Sequence, residues 1–283
     1  MKKNSFNHIF ILLLVILATV LISCDNEYLL PRAHLLENNH ITGTVYKHVY
    51  VSKILKNKRD VFVWLPIDYN LETKYPLLML HDGQNVFFPG ASRSGNEWHL
   101  DETVTSLINL KVIEPIIMVG VGNTSRRSSE YSPQFDGGLY GKALVDELLP
   151  SLEEFYSINL HKVATMGASY GGLISLSLGW EFNNYFNMAG CLSPAFSYKN
   201  FNYVDSLCYM ENPEKLKIAV VNGTKDLDIE LQNGVDLFIN YLKENNFPEN
   251  NLMYWIAKEK SHTELDWADQ AKSILPWFFG SQL

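Results

Sequence analysis

An α/β fold, with a mostly parallel central sheet, helices on both faces and an antiparallel hairpin at its start, is predicted by three observations. Six short apolar runs, at 77–80, 116–121, 163–166, 186–189, 218–221 and 252–256, are nearly continuous in hydrophobicity. Strands look like this when both faces of a sheet are covered. Between these runs lie amphipathic stretches of helical period at 101–110, 141–156, 173–180, 230–245 and 264–278. Strand and helix in alternation give a parallel sheet with crossover helices on both sides. Ahead of them, 44–51 and 60–65 alternate apolar and polar residues around Asn57, the pattern of a hairpin.

The 283 residues are 47% hydrophobic and 19% charged, enough for one sizeable core and too few for a second domain. The formal net charge of −8 would repel a phosphate backbone, so nucleic acid is not expected as a partner. The chain starts with Lys2 and Lys3 and continues into an apolar run at 9–22, shorter than the ~20 residues a spanning helix needs. It reads as a leader over 1–23. The segment Leu21-Ile22-Ser23-Cys24 resembles the lipobox of bacterial lipoproteins, which makes Cys24 the expected site of lipid attachment and the protein exported and membrane-anchored. Residues 24–43 are polar and without periodicity, as a flexible tether would be, leaving 44–283 as the folded domain. Cys191 and Cys208 sit in apolar stretches and are expected as buried free thiols. Neither a Cys-x-x-Cys pair nor clustered histidines occur, so no metal site is expected.

In sheets of this kind the chemistry gathers just beyond the carboxyl ends of the strands. After the run at 163–166 comes Gly167-Ala168-Ser169-Tyr170-Gly171 and then a helical pattern. A serine at a sharp strand-to-helix turn is forced into a strained backbone, pushes its hydroxyl out of the sheet and has free helix N–H groups behind it. Ser169 is therefore the expected nucleophile, with glycines at 167 and 171 removing side chains that would collide. It needs a base and an orienting acid, which follow in the order serine, acid, histidine. Only His262 lies beyond Ser169. Asp226, close after the run at 218–221, is the favoured acid; Asp228 and Glu230 compete, and Asp228 also reads as an N-cap for the helix that follows. Two donors for an acyl oxygen are expected, one from the N–H of Tyr170 and one from Gly83 or Gln84 in the loop His81-Asp82-Gly83-Gln84-Asn85. His81 and Asp82 come too early for the triad order and read as loop scaffolding. The stretch 123–139 is too long for a plain connection and is expected to shape the site. Trp98, Tyr131 and Trp267, with Tyr170, are candidates to line a cleft for a sugar or an aromatic acyl group.

Five segments taken together, Leu80 to Asn85, Arg127 with Glu130-Tyr131-Ser132-Pro133, Gly167 to Gly172, Gly223-Thr224-Lys225-Asp226, and Ser261 to Glu264 with Trp267, resemble the putative-esterase family. The likeness runs from about residue 44 to 280. That family groups esterase D-like enzymes, feruloyl and acetyl-xylan esterases, and enterochelin esterases. The resemblance implies an α/β-hydrolase fold, no metal or other cofactor, and a triad of Ser169, Asp226 and His262. One departure is Asp82, where many relatives have glycine. The function so implied is a serine carboxylic-ester hydrolase working through an acyl-enzyme on acetyl or feruloyl esters of carbohydrates. A siderophore esterase is the rival, with Arg126 and Arg127 as the cations that would meet an anionic substrate, and a catalytically silent binding lipoprotein is the alternative from another class.

Overall fold

The computed structural model of the chain describes residue 30 and residues 33–89, 95–199 and 201–281. The leader and Cys24 lie outside the described residues. The strands are β1 (His34–Leu35), β2 (Thr44–Ser52), β3 (Asn57–Leu65), β4 (Tyr75–His81), β5 (Ile117–Val121), β6 (Ile158–Ala168), β7 (Met188–Leu192), β8 (Ser197–Tyr198), β9 (Phe201–Asn202), β10 (Lys217–Gly223) and β11 (Leu252–Ala257). Nine of them form one sheet in the order β1-β2-β3-β5-β4-β6-β7-β10-β11. From β5 to β11 every pairing is parallel, while β1, β2 and β3 join the edge antiparallel.

Every residue of β4, β5 and β7 is buried, which is why those runs carry no polar alternation in sequence. Leu77 and Met79 pack with the helical stretch at 137–155, whereas Leu78 and Leu80 pack with residues of helices Leu100–Asn109 and Glu264–Phe279. Helices thus cover both faces. A third cluster packs Leu173 and Trp180 of helix Tyr170–Glu181 against Val235 and Phe238 of helix Leu227–Glu244. The stretch read as one helix at 141–156 is longer and irregular: it starts at Gly137, passes through a π turn over Leu144–Leu148 and resumes over Leu149–Phe155. The run at 186–189 is displaced from its strand, because Phe186 is buried in the turn before β7.

Two expectations are corrected. Part of the stretch read as a tether is docked: His34 and Leu35 pair with Lys47 and Tyr46, and the carbonyl of Thr42 accepts from Trp64 Nε1 at 2.6 Å. The segment is held by strand pairing, by this side-chain bond to its backbone, and by Leu36 and Ile41, which pack against the core; apolar residues so scattered make no periodic pattern in sequence. Both Cys191 and Cys208 are free, but only Cys191 is buried; Cys208 is exposed at the end of a short helix.

The N–H of Thr42 also donates to Asp101 Oδ2 at 2.7 Å, and burial pushes the Asp101 carboxyl up to about 8. A carboxyl that titrates higher in the folded than in the unfolded chain stabilises most below the unfolded value, and that contribution fades as pH rises through the folded one. The Tm advantage of Asp101→Asn over the wild type is therefore expected to grow between about pH 5 and about pH 8. A pair of melting curves that stay parallel across that window would remove Asp101 from the account.

Candidate active site

Ser169 sits between the end of β6 and helix Tyr170–Glu181 with φ 59° and ψ −122°, a conformation side chains rarely adopt. The turn closes because Gly167 has no side chain: a Cβ there would lie 2.6 Å from the backbone of Gly171. The second glycine is not needed for clearance in the way expected. A Cβ at Gly171 would meet only ordinary contacts, at 3.5 Å from Asp82 Oδ2 and from His81 Cβ. The N–H of Tyr170 belongs to the first turn of the helix, where backbone donors have no intrahelical acceptor.

His262 is held by the loop before helix Glu264–Phe279. Thr263 caps that helix by accepting from the N–H of Asp266, whose Oδ2 accepts in return from the N–H of Ser261 at 2.7 Å. The imidazole rests edge-on against Trp267, ring centres 4.9 Å apart. Its Nδ1 lies 2.6 Å from Asp228 Oδ1. Since an ionised carboxylate only accepts, Nδ1–H donates and Nε2 is left free for a substrate or nucleophile proton.

The acid at the histidine is thus Asp228 and not Asp226, which corrects the sequence reading. Asp226 is exposed and takes the N-cap position with φ 51°, its side chain capping nothing. Asp228 is fully buried in the first helical turn. Helical Cβ atoms tilt toward the N-terminus, and here that aims the carboxylate back at the end of β10. There it accepts from Ser193 Oγ and from the N–H of Gly223, both at 2.9 Å, in addition to His262. Gly223 is a condition for this, since a Cβ on it would come within 2.2 Å of Asp228 Oδ2. A buried charge without partners costs several kcal/mol, and three donors on one carboxylate offset that cost. Ser193, which the sequence reading did not single out, also accepts from Trp267 Nε1 at 3.0 Å, so Trp267, Ser193, Asp228 and His262 form one chain of hydrogen bonds and ring contact.

Ser169, Tyr170 and His262 line an open cleft of about 660 Å³, together with Gln84, Asn85, Trp98, Arg127, Glu264 and Trp267. Trp98 and Trp267 border this cleft as buried side chains, with ring centres 5.8 Å apart. Tyr131 does not. It is fully buried behind the cleft, its ring against His81 and Tyr140 and its hydroxyl accepting from the N–H of Asp82 at 3.1 Å. Of the two alternatives for the loop donor, Gln84 lines the cleft, while Gly83 is buried against Gly120. His81 is bonded to Tyr140 and Thr165, and burial pushes its imidazole down to about 3, so it stays neutral and serves the loop. The stretch after β5 forms one wall: Asn123 Nδ2 and Arg127 both bind Asp82, and Glu130 is anchored by a buried ion pair with Arg59 at 2.9 Å. Among the described residues no group of three or more His, Cys, Asp or Glu side chains could hold a metal ion, and no helix is long and apolar enough to cross a membrane.

A family model described as "Putative esterase" matches residues 52–276. The uncharacterized protein YjcH of Bacillus subtilis is 25% identical over 198 residues, covering 68% of this chain and 78% of that one. The enterobactin esterase FES of Shigella flexneri superposes with a TM-score of 0.68 at 17% identity, over 87% of this chain and 58% of its own. A ferulic acid esterase superposes with a TM-score of 0.69 at 20% identity, over 84% of this chain and 99% of its own. The chain thus spans little more than half of the Shigella enzyme, and at these identities both structures speak for the fold.

Gly83→Ala is expected to lower Tm sharply and to yield little folded protein. A Cβ there would fall 2.2 Å from the carbonyl carbon of Gly120, backbone against backbone, with no flexible atom to yield. A variant that melts within about 1 °C of the wild type would show the loop and β5 to be looser than this packing requires.

Proposed function

Because the chain belongs to the Putative esterase family, we propose that it hydrolyses carboxylic esters through an acyl-enzyme on Ser169, with His262 as general base and Asp228 as the acid that orients it. The observation that carries this reading is the 2.6 Å bond from His262 Nδ1 to a fully buried carboxylate, in the cleft onto which the strained Ser169 turn opens. His262 Nε2 takes the Ser169 proton as the hydroxyl attacks the ester carbonyl, and Asp228 supports the imidazolium that forms. The proton is returned to the leaving alcohol, and water then repeats the sequence on the acyl-enzyme. The N–H of Tyr170, with a second donor from the loop at Gln84, meets the negative oxygen of each tetrahedral intermediate.

We assign the substrate to acetyl or feruloyl esters of carbohydrates. The cleft is open, is bordered by Tyr170 and by the buried rings of Trp98 and Trp267, and carries hydroxyl and amide groups on Asn85, Asn123, Thr124, Ser125 and Ser128. A ferric siderophore, usually anionic, would call for cations. Arg127 is bound bidentate by Asp82, and Arg126 pairs with Asp136 outside the cleft lining. Among the described lining residues the formal charges of Asp82, Arg127 and Glu264 leave a slight negative excess. Neutral sugar esters suit such a surface better. The leader and Cys24 point to a protein exported and held at the cell envelope by lipid, where such polymers are met.

Hydrolysis of p-nitrophenyl acetate by protein lacking the first 24 residues tests the assignment. Ser169→Ala is expected to lower kcat by about 10³-fold or more, and Asp228→Asn by roughly 10²- to 10⁴-fold. Asp226→Asn should stay within about threefold of wild type, as an exposed carboxylate away from the histidine would. The reverse order of the two aspartates would overturn the triad. Full activity in Ser169→Ala, or failure of a fluorophosphonate to label Ser169, would overturn the acyl-enzyme and favour a silent binding protein. In a screen of acetylated and feruloylated oligosaccharides against a catecholate trilactone, preferred cleavage of the trilactone would overturn the substrate class.

A further inference from the structure

Asp82 places a carboxylate beside the proposed oxyanion site. It follows β4 with φ 56°, and its Oδ2 lies near the Cα of Gly171, in the first turn of the helix that supplies the Tyr170 N–H. On its own this charge would oppose negative charge growing on an acyl oxygen and would itself draw on the positive end of the helix. It is not on its own. Arg127 Nε donates to Oδ1 at 2.6 Å and a terminal nitrogen to Oδ2 at 2.7 Å, the paired geometry that fits a guanidinium to a carboxylate, while Asn123 Nδ2 donates to Oδ1 at 2.6 Å. The guanidinium also lies 5.1 Å from the ring centre of Tyr131 and 5.9 Å from that of Tyr170. Tyr131 in turn accepts from the N–H of Asp82. One cation therefore touches the residue after the nucleophile and, through Asp82, the start of the loop bearing the second donor.

We propose that Arg127 is a positioning residue that neutralises Asp82 and ties the two halves of the oxyanion site together, so that neither donor has to move when charge develops. The proposal rests on the acyl-enzyme reading above. It goes beyond that reading by assigning part of the rate to a side chain that acts through Asp82 and Tyr170. Preorganised donors are worth about 10²- to 10³-fold in kcat each, so misplacing them should appear in kcat before KM.

The test compares Arg127→Met, which keeps a stem to pack on Tyr131 and Tyr170, Arg127→Lys, which keeps the charge without the paired bonds, and the double variant Asp82→Asn with Arg127→Met, all in the full folded domain. Each is first titrated with a fluorophosphonate, which counts competent Ser169 and checks the underlying reading separately: a wild type that does not label sinks the acyl-enzyme and leaves the clamp without a reaction. Arg127→Met is expected to lose about 10²-fold in kcat on p-nitrophenyl acetate with KM within about threefold, and to lose affinity for phenylboronic acid, a tetrahedral mimic, by a similar factor. Arg127→Lys should fall between the two. Because the double variant no longer carries a bare carboxylate, it should recover at least about tenfold over Arg127→Met. Wild-type kcat in a labelled, folded Arg127→Met, a loss confined to KM, or a double variant no faster than the single one would each overturn the proposal. Should Arg127→Met not fold, the comparison of Arg127→Lys with the wild type on kcat and boronate affinity decides in the same way.

Discussion

Parallel pairing in register is the constraint on which the site depends. Ala168 of β6 stands beside Leu192 of β7, which stands beside Val221 of β10, so Ser169 and Ser193 leave the sheet abreast of one another, while β10 runs on two residues further through Asn222 to Gly223, beside β11. On the other side Leu80 pairs with both Met166 and Gly120, bringing Asp82 and the stretch after β5 to the same rim. Shifting one strand by a single step would exchange the side chains it packs against the helices on its two faces and also carry the residue at its end away from the others. The core that fixes the register and the geometry of the side chains at the cleft are therefore one problem, solved by the same runs of Leu, Ile, Val and Met.

Backbone strain collects along that rim. Asp82, Ser169, Ser193 and Asp226 all have positive φ without being glycine, a conformation costing on the order of 1–3 kcal/mol each. Each lies just past the end of a sheet strand, where the chain must turn sharply to present a side chain rather than continue along the sheet. Hydrogen bonds offset part of the cost. The carbonyl of Ser169 accepts from Gly172, Leu173 and Ala195, and the N–H of Ser193 donates to Val221. These bonds tie the strained turns to one another and to the ends of the strands.

The sheet, its helices and the turn at Ser169 were legible in sequence because each leaves a local pattern: an apolar run, a period, a glycine pair. His262 was legible by elimination, as the only histidine after the serine. The acid was not, because Asp226 and Asp228 differ by two residues and the choice turns on where the helix starts and which way its first Cβ atoms lean. Gly223 was the available signal. A glycine at the end of a buried strand marks a place where something must come close, and here that something is the Asp228 carboxylate. Tyr131 misled for the opposite reason: an aromatic residue in a polar loop suggests a cleft, yet its hydroxyl serves a backbone N–H behind the wall. The docking of residues 34–42 rests on a two-residue strand pairing, on bonds from Thr42 to the side chains of Asp101 and Trp64, and on the isolated apolar residues Leu36 and Ile41, none of which makes a periodic pattern.

The wall built from residues 123–131 explains why so long a connection is kept. Its far end is anchored in the core, where Glu130 meets Arg59 with both side chains fully buried, and Asn57 donates to the same carboxylate. A buried ion pair adds little net stability, since desolvation consumes most of the Coulombic gain, but breaking it strands a charge. Its effect is then one of position: Thr124 is bound to Glu130, and Asn123 and Arg127 are aimed from that fixed base at Asp82. Charge is thus balanced in two steps, Arg59 against Glu130 in the core and Arg127 against Asp82 at the cleft. This arrangement leaves the described lining of the cleft polar, with its one arginine already engaged by Asp82.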